Sequence, residues 1–336
     1  MKKFVTPITA LLLFTGFAKA QETVYPTKEY KGQLFITNGT VHVGNGQVLE
    51  NATIEVNNGK IVRVGTDIPV SQNNAKLIDA KGKQVYPGLI LPSCDLGLKE
   101  IANGVRGSND YYELGDYNPS VRSIVAYNTD SKITGTLRAN GILLASITPE
   151  GGVISGSSSV VQLDAWNWED AAYKMDGGIH LNLPSFLPRP TGRRAFFFPG
   201  APQQADPVKQ ALDKVDEIKT FFREAKAYEQ ETTHKQTNLK LEAVKGLFNK
   251  TQKLFVHGDQ VKQMLVAIDF VKEFGFDVVI VGGSESYQIA NLLKQNNIAV
   301  ILGSEHELPS MEDDDIDQPF KTPAALQKAG VLFALN

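Results

Sequence analysis

The chain has 336 residues, more than one small domain requires and enough for a large α/β domain with a smaller companion. Hydrophobic residues make up 42%, charged residues 21% and aromatics 9%, which excludes a mainly disordered, collagenous or coiled-coil chain. A formal net charge of -3 gives no basic field for nucleic-acid phosphates, and a single cysteine excludes an intrachain disulfide or a cysteine-rich metal site.

Lys2 and Lys3 precede an apolar stretch from Ile8 to Phe17, and Ala18-Lys19-Ala20 puts small residues at both positions that a leader peptidase reads. Residues 1–20 are therefore predicted to be a secretory signal peptide, cut after Ala20. The apolar run is too short to span a bilayer comfortably. No other stretch approaches a membrane span. Removing the leader takes away three lysines and no acid, so the formal charge moves from -3 to -6. The expected product is exported, periplasmic or secreted, with no transmembrane segment.

Residues 21–88 read as a small β domain. Leu34-Phe35-Ile36 ends at Asn38-Gly39, and Thr40 to Val43 ends at Gly44-Asn45-Gly46. The runs Ala52 to Val56 and Lys60 to Val64 flank Asn57-Asn58-Gly59, a hairpin signal because Asn and Gly tolerate positive φ cheaply. Short runs of this kind predict an antiparallel domain that packs as a sandwich. At this size it needs a larger body to pack on.

Residues 89–336 change to a strand–helix rhythm. Ile142 to Ile147 follows a helix-compatible Ser131 to Ala139 and the stop Asn140-Gly141. Asp206-Pro207 opens a helix in which Val208, Leu212, Val215, Ile218, Phe222 and Ala225 recur every three or four residues. Leu254-Phe255-Val256 predicts a strand and Val261 to Phe274 the helix after it. Asp277 to Val281, Ile298 to Leu302 and Val331 to Leu335 are further buried-strand candidates. Apolar strands alternating with helices predict a parallel sheet with both faces covered, as a barrel or a doubly wound sheet.

Ile78-Asp79-Ala80-Lys81-Gly82 followed by Val85-Tyr86-Pro87-Gly88-Leu89-Ile90 resembles the amidohydrolase superfamily. In that superfamily a composite β-sandwich leads through a Pro-Gly-Leu-Ile phrase into a distorted (β/α)8 barrel. Asn58-Gly59-Lys60-Ile61-Val62 fits the same sandwich, and the match covers Gln33 to Leu91. Leu254 to Asn336, and Gly151 to Asn182 with Ser157-Ser158, resemble the imidazolonepropionase-like branch and its exported bacterial members. The resemblance implies an α/β fold with a metal-dependent-hydrolase-like barrel and a small N-terminal composite sandwich.

It also implies a site at the C-terminal ends of the barrel strands, holding a divalent metal ion. Family members carry His-x-His after the Pro-Gly-Leu-Ile phrase, whereas this chain reads Ser93-Cys94-Asp95. Strand alternation turns Ser93 and Asp95 inward and leaves Cys94 out of phase. Serine is a poor ligand, so Asp95 is the candidate there. His257 directly follows Leu254-Phe255-Val256, where the resemblance places a fifth-strand ligand. The metal candidates are thus Asp95 and His257, with zinc or no metal at all as the two alternatives. A sixth-strand histidine is replaced by Gly282-Gly283, and the general base is expected beyond Asn336, so the barrel is expected to be incomplete at its C-terminus.

The remaining candidates lie around the expected mouth. Val281-Gly282-Gly283-Ser284 before a helix either offers N–H groups to an anion or is a plain βα turn. His306, in the loop after Leu302, and Ser93 are further pocket residues. Glu312 to Asp315 with Asp317 either ligates calcium or forms a solvated acidic loop, and the spacing does not match an EF-hand. Two functions stay open. One is hydrolysis of a non-peptide C–N bond in a cyclic amide or dipeptide-like small molecule. The other is a catalytically inactive relative that binds a ligand or partner in the exported compartment. Nucleic acid is not expected as a partner, and association into homo-oligomers is left open.

Overall fold

A computed structural model describes residues 26–71, 74–100, 109–187, 206–231, 233–303, 306 and 315–336. The signal peptide predicted over residues 1–20 lies outside them, as do Glu312, Asp313 and Asp314 of the acidic run. The chain divides into two compact units, one up to Pro87 together with Asp164–Trp166, the other Gly88–Leu163 with Asn167–Asn336.

The first unit is a five-stranded sheet in the order β3-β2-β1-β4, with β5 also on β1. Its strands are β1 (Gln33–His42), β2 (Val48–Asn57), β3 (Lys60–Gly65), β4 (Ala75–Asp79) and β5 (Gln84–Val85). The β2–β3 hairpin turns on Asn58 and Gly59, at φ of 49° and 73°, as the sequence predicted. Val41, Ala52 and Ile54 form its core. Glu55, also buried, accepts from Arg63 Nε at 2.6 Å and Gln33 Nε2 at 2.9 Å, and these bonds lower its pKa. The sheet is mixed rather than antiparallel. β4 and β5 run parallel to β1, on the edge of β1 opposite β2, instead of continuing the antiparallel hairpin.

The second unit is built on eight strands: β6 (Leu89–Cys94), β7 (Ile142–Ile147), β8 (Ile154–Gln162), β9 (Ala172–Asn182), β10 (Lys253–Gly258), β11 (Val278–Gly282), β12 (Ala299–Leu302) and β13 (Phe333–Leu335). They lie in that order across the sheet. The Ser93 N–H donates to Asn336 Oδ1 at 3.0 Å, joining the end of β6 to the end of β13, so the sheet is a nearly closed barrel. β9 to β13 are parallel, as are β6 and β7, whereas β8 is antiparallel to both neighbours. The all-parallel expectation fails at β8 because residues 148–153 are too few for a crossover helix.

Eight helices accompany the barrel: α1 (Lys132–Ala139), α2 (Trp168–Ala171), α3 (Pro207–Gln230), α4 (Leu239–Ala243), α5 (Lys245–Phe248), α6 (Val261–Phe274), α7 (Ala290–Gln295) and α8 (Gln318–Ala329), counted among the described residues. α3 starts where Asp206-Pro207 predicted, with Asp206 Oδ1 accepting from the Val208 N–H at 2.9 Å. Its apolar stripe, Val215, Ile218 and Phe222, enters the main core with Leu254, Val256, Phe270 and Ile280. Phe222 is fully buried, its ring against Phe221, Phe270, Phe274 and Phe276.

Candidate functional site

His257 ends the apolar run of β10, one residue before Gly258, and is partly buried there. Its neighbour across the parallel ladder is β9, where Phe255 pairs with His180 and His257 with Asn182. His180 Nδ1 and His257 Nε2 are 2.8 Å apart, so one imidazole donates its N–H to the lone pair of the other. His180 is 1% exposed, its ring stacks on Phe255 at 4.8 Å and 3°, and its Nε2 has no partner. Glycine at 178 makes this stack feasible: a Cβ there would stand 2.1 Å from the Phe255 ring.

Burial sets the charge of both rings. It drives the pKa of His180 well below the ordinary imidazole value, helped by His257, and lowers that of His257 to about 4. Both are neutral at pH 7. Nearby, Asn182 Nδ2 donates to Ser155 Oγ at 2.9 Å and to the Gly152 carbonyl at 3.0 Å, tying the end of β9 to β8.

Gly282 and Gly283 follow on β11, where Gly282 pairs with Gly258. Both have positive φ, at 98° and 66°. Their turn is already filled from within. The Gly283 N–H donates to the Gly258 carbonyl, the Ser284 N–H to Asp259 Oδ1 and the Glu285 N–H to the Asp259 carbonyl. The carboxylate of Asp259 thus stands where the sequence left room for a bound anion.

Ser93 and Asp95 belong to the opposite wall, since β6 is four strands from β10 in either direction around the barrel. Ser93 Oγ shares a 3.3 Å hydrogen bond with Thr148 Oγ1. Asp95 begins a turn just past β6, its side chain 3.6 Å from Lys99 Nζ. Cys94 donates Sγ to the Ser146 carbonyl at 3.5 Å, and burial pushes its thiol up to about 11. His306 is exposed, with its ring edge-on to Phe320 at 5.8 Å.

These positions bear directly on a divalent ion. Among the described residues, no three or more His, Cys, Asp or Glu side chains gather closely enough to hold one. The two imidazoles each spend a nitrogen on the other, and Asp95 is paired with Lys99 on the far wall. Zinc takes at least three protein ligands. As arranged, this donor set does not fit the metal, and no step below passes through one.

Sequence reasoning missed His180. It lies in Gly151 to Asn182, where glycines and a polar serine run hide the alternation of β8 and β9. The signal available was Ile179-His180-Leu181, a histidine between two β-branched or apolar residues, and it was too short to stand alone.

No family model and no curated protein matches the chain. Among solved structures, an amidohydrolase from Thermotoga maritima MSB8 aligns with 90% of this chain and 78% of its own, at 25% identity and a TM-score of 0.67. A prolidase complexed with N-methylphosphonate-L-proline aligns over 90% and 78% at 14% identity, with a TM-score of 0.45 that supports no further comparison. Among the described residues no helix is long and apolar enough to cross a membrane. The nearly closed eight-stranded barrel, the separate N-terminal sheet and the Thermotoga alignment together give the chain the fold of the amidohydrolase superfamily.

Proposed function

We propose that the chain is an exported hydrolase of amidohydrolase type, of the imidazolonepropionase-like branch, cleaving a non-peptide C–N bond in a cyclic amide or dipeptide-like molecule. Residues 1–20 serve as its leader, 21–88 as the accessory β domain and 89–336 as the catalytic barrel. The observation that carries the reading is His257, a neutral imidazole at the C-terminal end of a barrel strand and hydrogen-bonded to buried His180. In the tautomer where His257 Nε2 donates to His180 Nδ1, His257 Nδ1 keeps a lone pair for the proton of an attacking water. The bond to His180 holds the ring in place as that proton arrives. A base whose conjugate acid has a pKa near 4 is fully unprotonated at neutral pH but weak, which suits a strained cyclic amide better than an ordinary peptide.

A second reading, ligand binding without turnover, is favoured by Ser93-Cys94-Asp95, which offers a hydroxyl and a lysine-paired carboxylate in place of two imidazoles. Turnover separates the two. The full-length protein, purified without chelator, is assayed against cyclic amides and dipeptides beside His257→Gln. Hydrolysis by the wild type that is lost in His257→Gln supports the hydrolase with His257 as base. Binding of these molecules with no hydrolysis by the wild type favours the binding reading.

A further inference from the structure

The barrel unit holds a cavity away from the histidine pair. It has a volume of about 560 Å³ and opens beside Thr251 and Gln252, just before β10. Five residues separate Gln252 from His257, about 16 Å at ~3.3 Å per residue, so the two features occupy opposite ends of one strand.

Asp176 organises the cavity wall. It is a non-glycine residue at φ 50°, and every polar atom it has is engaged. Oδ2 accepts from Arg122 Nε at 2.8 Å and Nη2 at 2.6 Å, while Oδ1 accepts from Ser157 Oγ at 3.0 Å. Its N–H donates to Ser159 Oγ at 2.9 Å, and its carbonyl accepts from Gln252 Nε2 at 3.0 Å. Left-handed residues persist only where their surroundings over-determine them, and they gather at ligand clamps. The Gln252 bond also fixes the orientation of that amide and leaves its Oε1 a buried acceptor with no donor in the wall.

Each charge in the lining has a counter-charge. Arg122 is matched by Asp176, and Glu242 by Lys245 just outside the lining at 2.7 Å, with the Tyr228 hydroxyl donating to the same carboxylate. Asn249 Oδ1 accepts from Thr251 Oγ1 at 2.7 Å, and Asn249, Thr251 and Ser120 all belong to the lining. Met175, Leu239 and Ala243 supply an apolar side. An electrically balanced wall of hydroxyls and amides, with one greasy face and room for a ring, suits a hydroxylated ring with no net charge.

The geometry points to a binding site at the N-terminal end of β10 for a neutral, hydroxyl-rich ligand of roughly monosaccharide size. The full-length protein is titrated by NMR with glucose, galactose, mannose and maltose, with glucuronate and glucosamine as charged controls. At least one neutral sugar binds saturably, at least tenfold tighter than either control. Ala243→Trp or Ser120→Trp weakens it at least tenfold, whereas His257→Gln leaves it unchanged. Ser120 is exposed, so its variant keeps the test available if Ala243→Trp fails to fold. Absence of saturable binding by all four sugars, tighter binding of a charged control, or affinity unaltered by a folded tryptophan variant each overturns the site.

Discussion

His180 and His257 share a hydrogen bond and an environment that keeps both uncharged, and stability must follow the pH at which that environment is forced to accept a proton. The pKa of His257 falls from 6.5 to about 4 on folding. A lowered native pKa contributes stability in full above 6.5, and it is lost as the pH falls from 6.5 towards 4, because only the unfolded chain takes up the proton in that window. The difference amounts to roughly 3 kcal/mol. Urea unfolding of wild type and His257→Gln across pH 4–7 is expected to show a steeper acid loss in the wild type, and parallel curves would contradict the burial of this ring. Cys94 gives a second residue-level outcome. With its pKa raised to about 11, its thiolate fraction at pH 8 is on the order of a hundredfold below that of an unfolded thiol. A thiol-reactive dye is expected to label the native protein correspondingly slowly. His257 was legible in the sequence because three apolar residues before it mark a strand end. His180 was not, because Gly177-Gly178 and the serine-rich β8 erase the periodicity that would have announced a strand.

Among the elements, the β11 turn shows how much of the mouth is fixed by backbone conformation. Gly282 sits at φ 98°, and a Cβ there would stand 2.6 Å from Asp259 Oδ1. Gly282→Ala therefore meets both a strained dihedral and the carboxylate that accepts from the Ser284 N–H, and is expected to cost about 1–3 kcal/mol in urea unfolding. Asp259→Ala relieves the steric part, so the double variant should cost less than the sum of the two; strict additivity would show that residue 282 and Asp259 do not meet. The sequence showed two glycines before a helix but could not show which group fills their turn. That depends on the parallel register between β10 and β11, which spans 24 residues of chain. Helix starts such as Asp206-Pro207 were readable because capping is local. The antiparallel course of β8 was not, since direction is a property of the connection rather than of the strand.

For the molecule as a whole, one core joins α3 and α6 to the parallel strands, and the Phe222 ring lies at its centre. Phe222→Ala is expected to lose about 3–5 kcal/mol, read as a lower urea midpoint with an unchanged slope. The barrel also decides which candidate residues can act together. Its strand order brings His180 beside His257 and sets Ser93 and Asp95 four strands away, an arrangement that no spacing along the chain reveals. Composition, the hairpin turn and the strand–helix rhythm made the two-part fold readable. Partnership within the site required the closed sheet. The most direct measurement is turnover of cyclic amides and dipeptides by the full-length protein beside His257→Gln and His180→Phe. At least one substrate should be hydrolysed, with kcat/KM falling at least 100-fold in His257→Gln and less in His180→Phe, while both variants keep their fold. Turnover unaffected by loss of His257, or none in the wild type against the whole panel, would contradict hydrolysis at this barrel mouth.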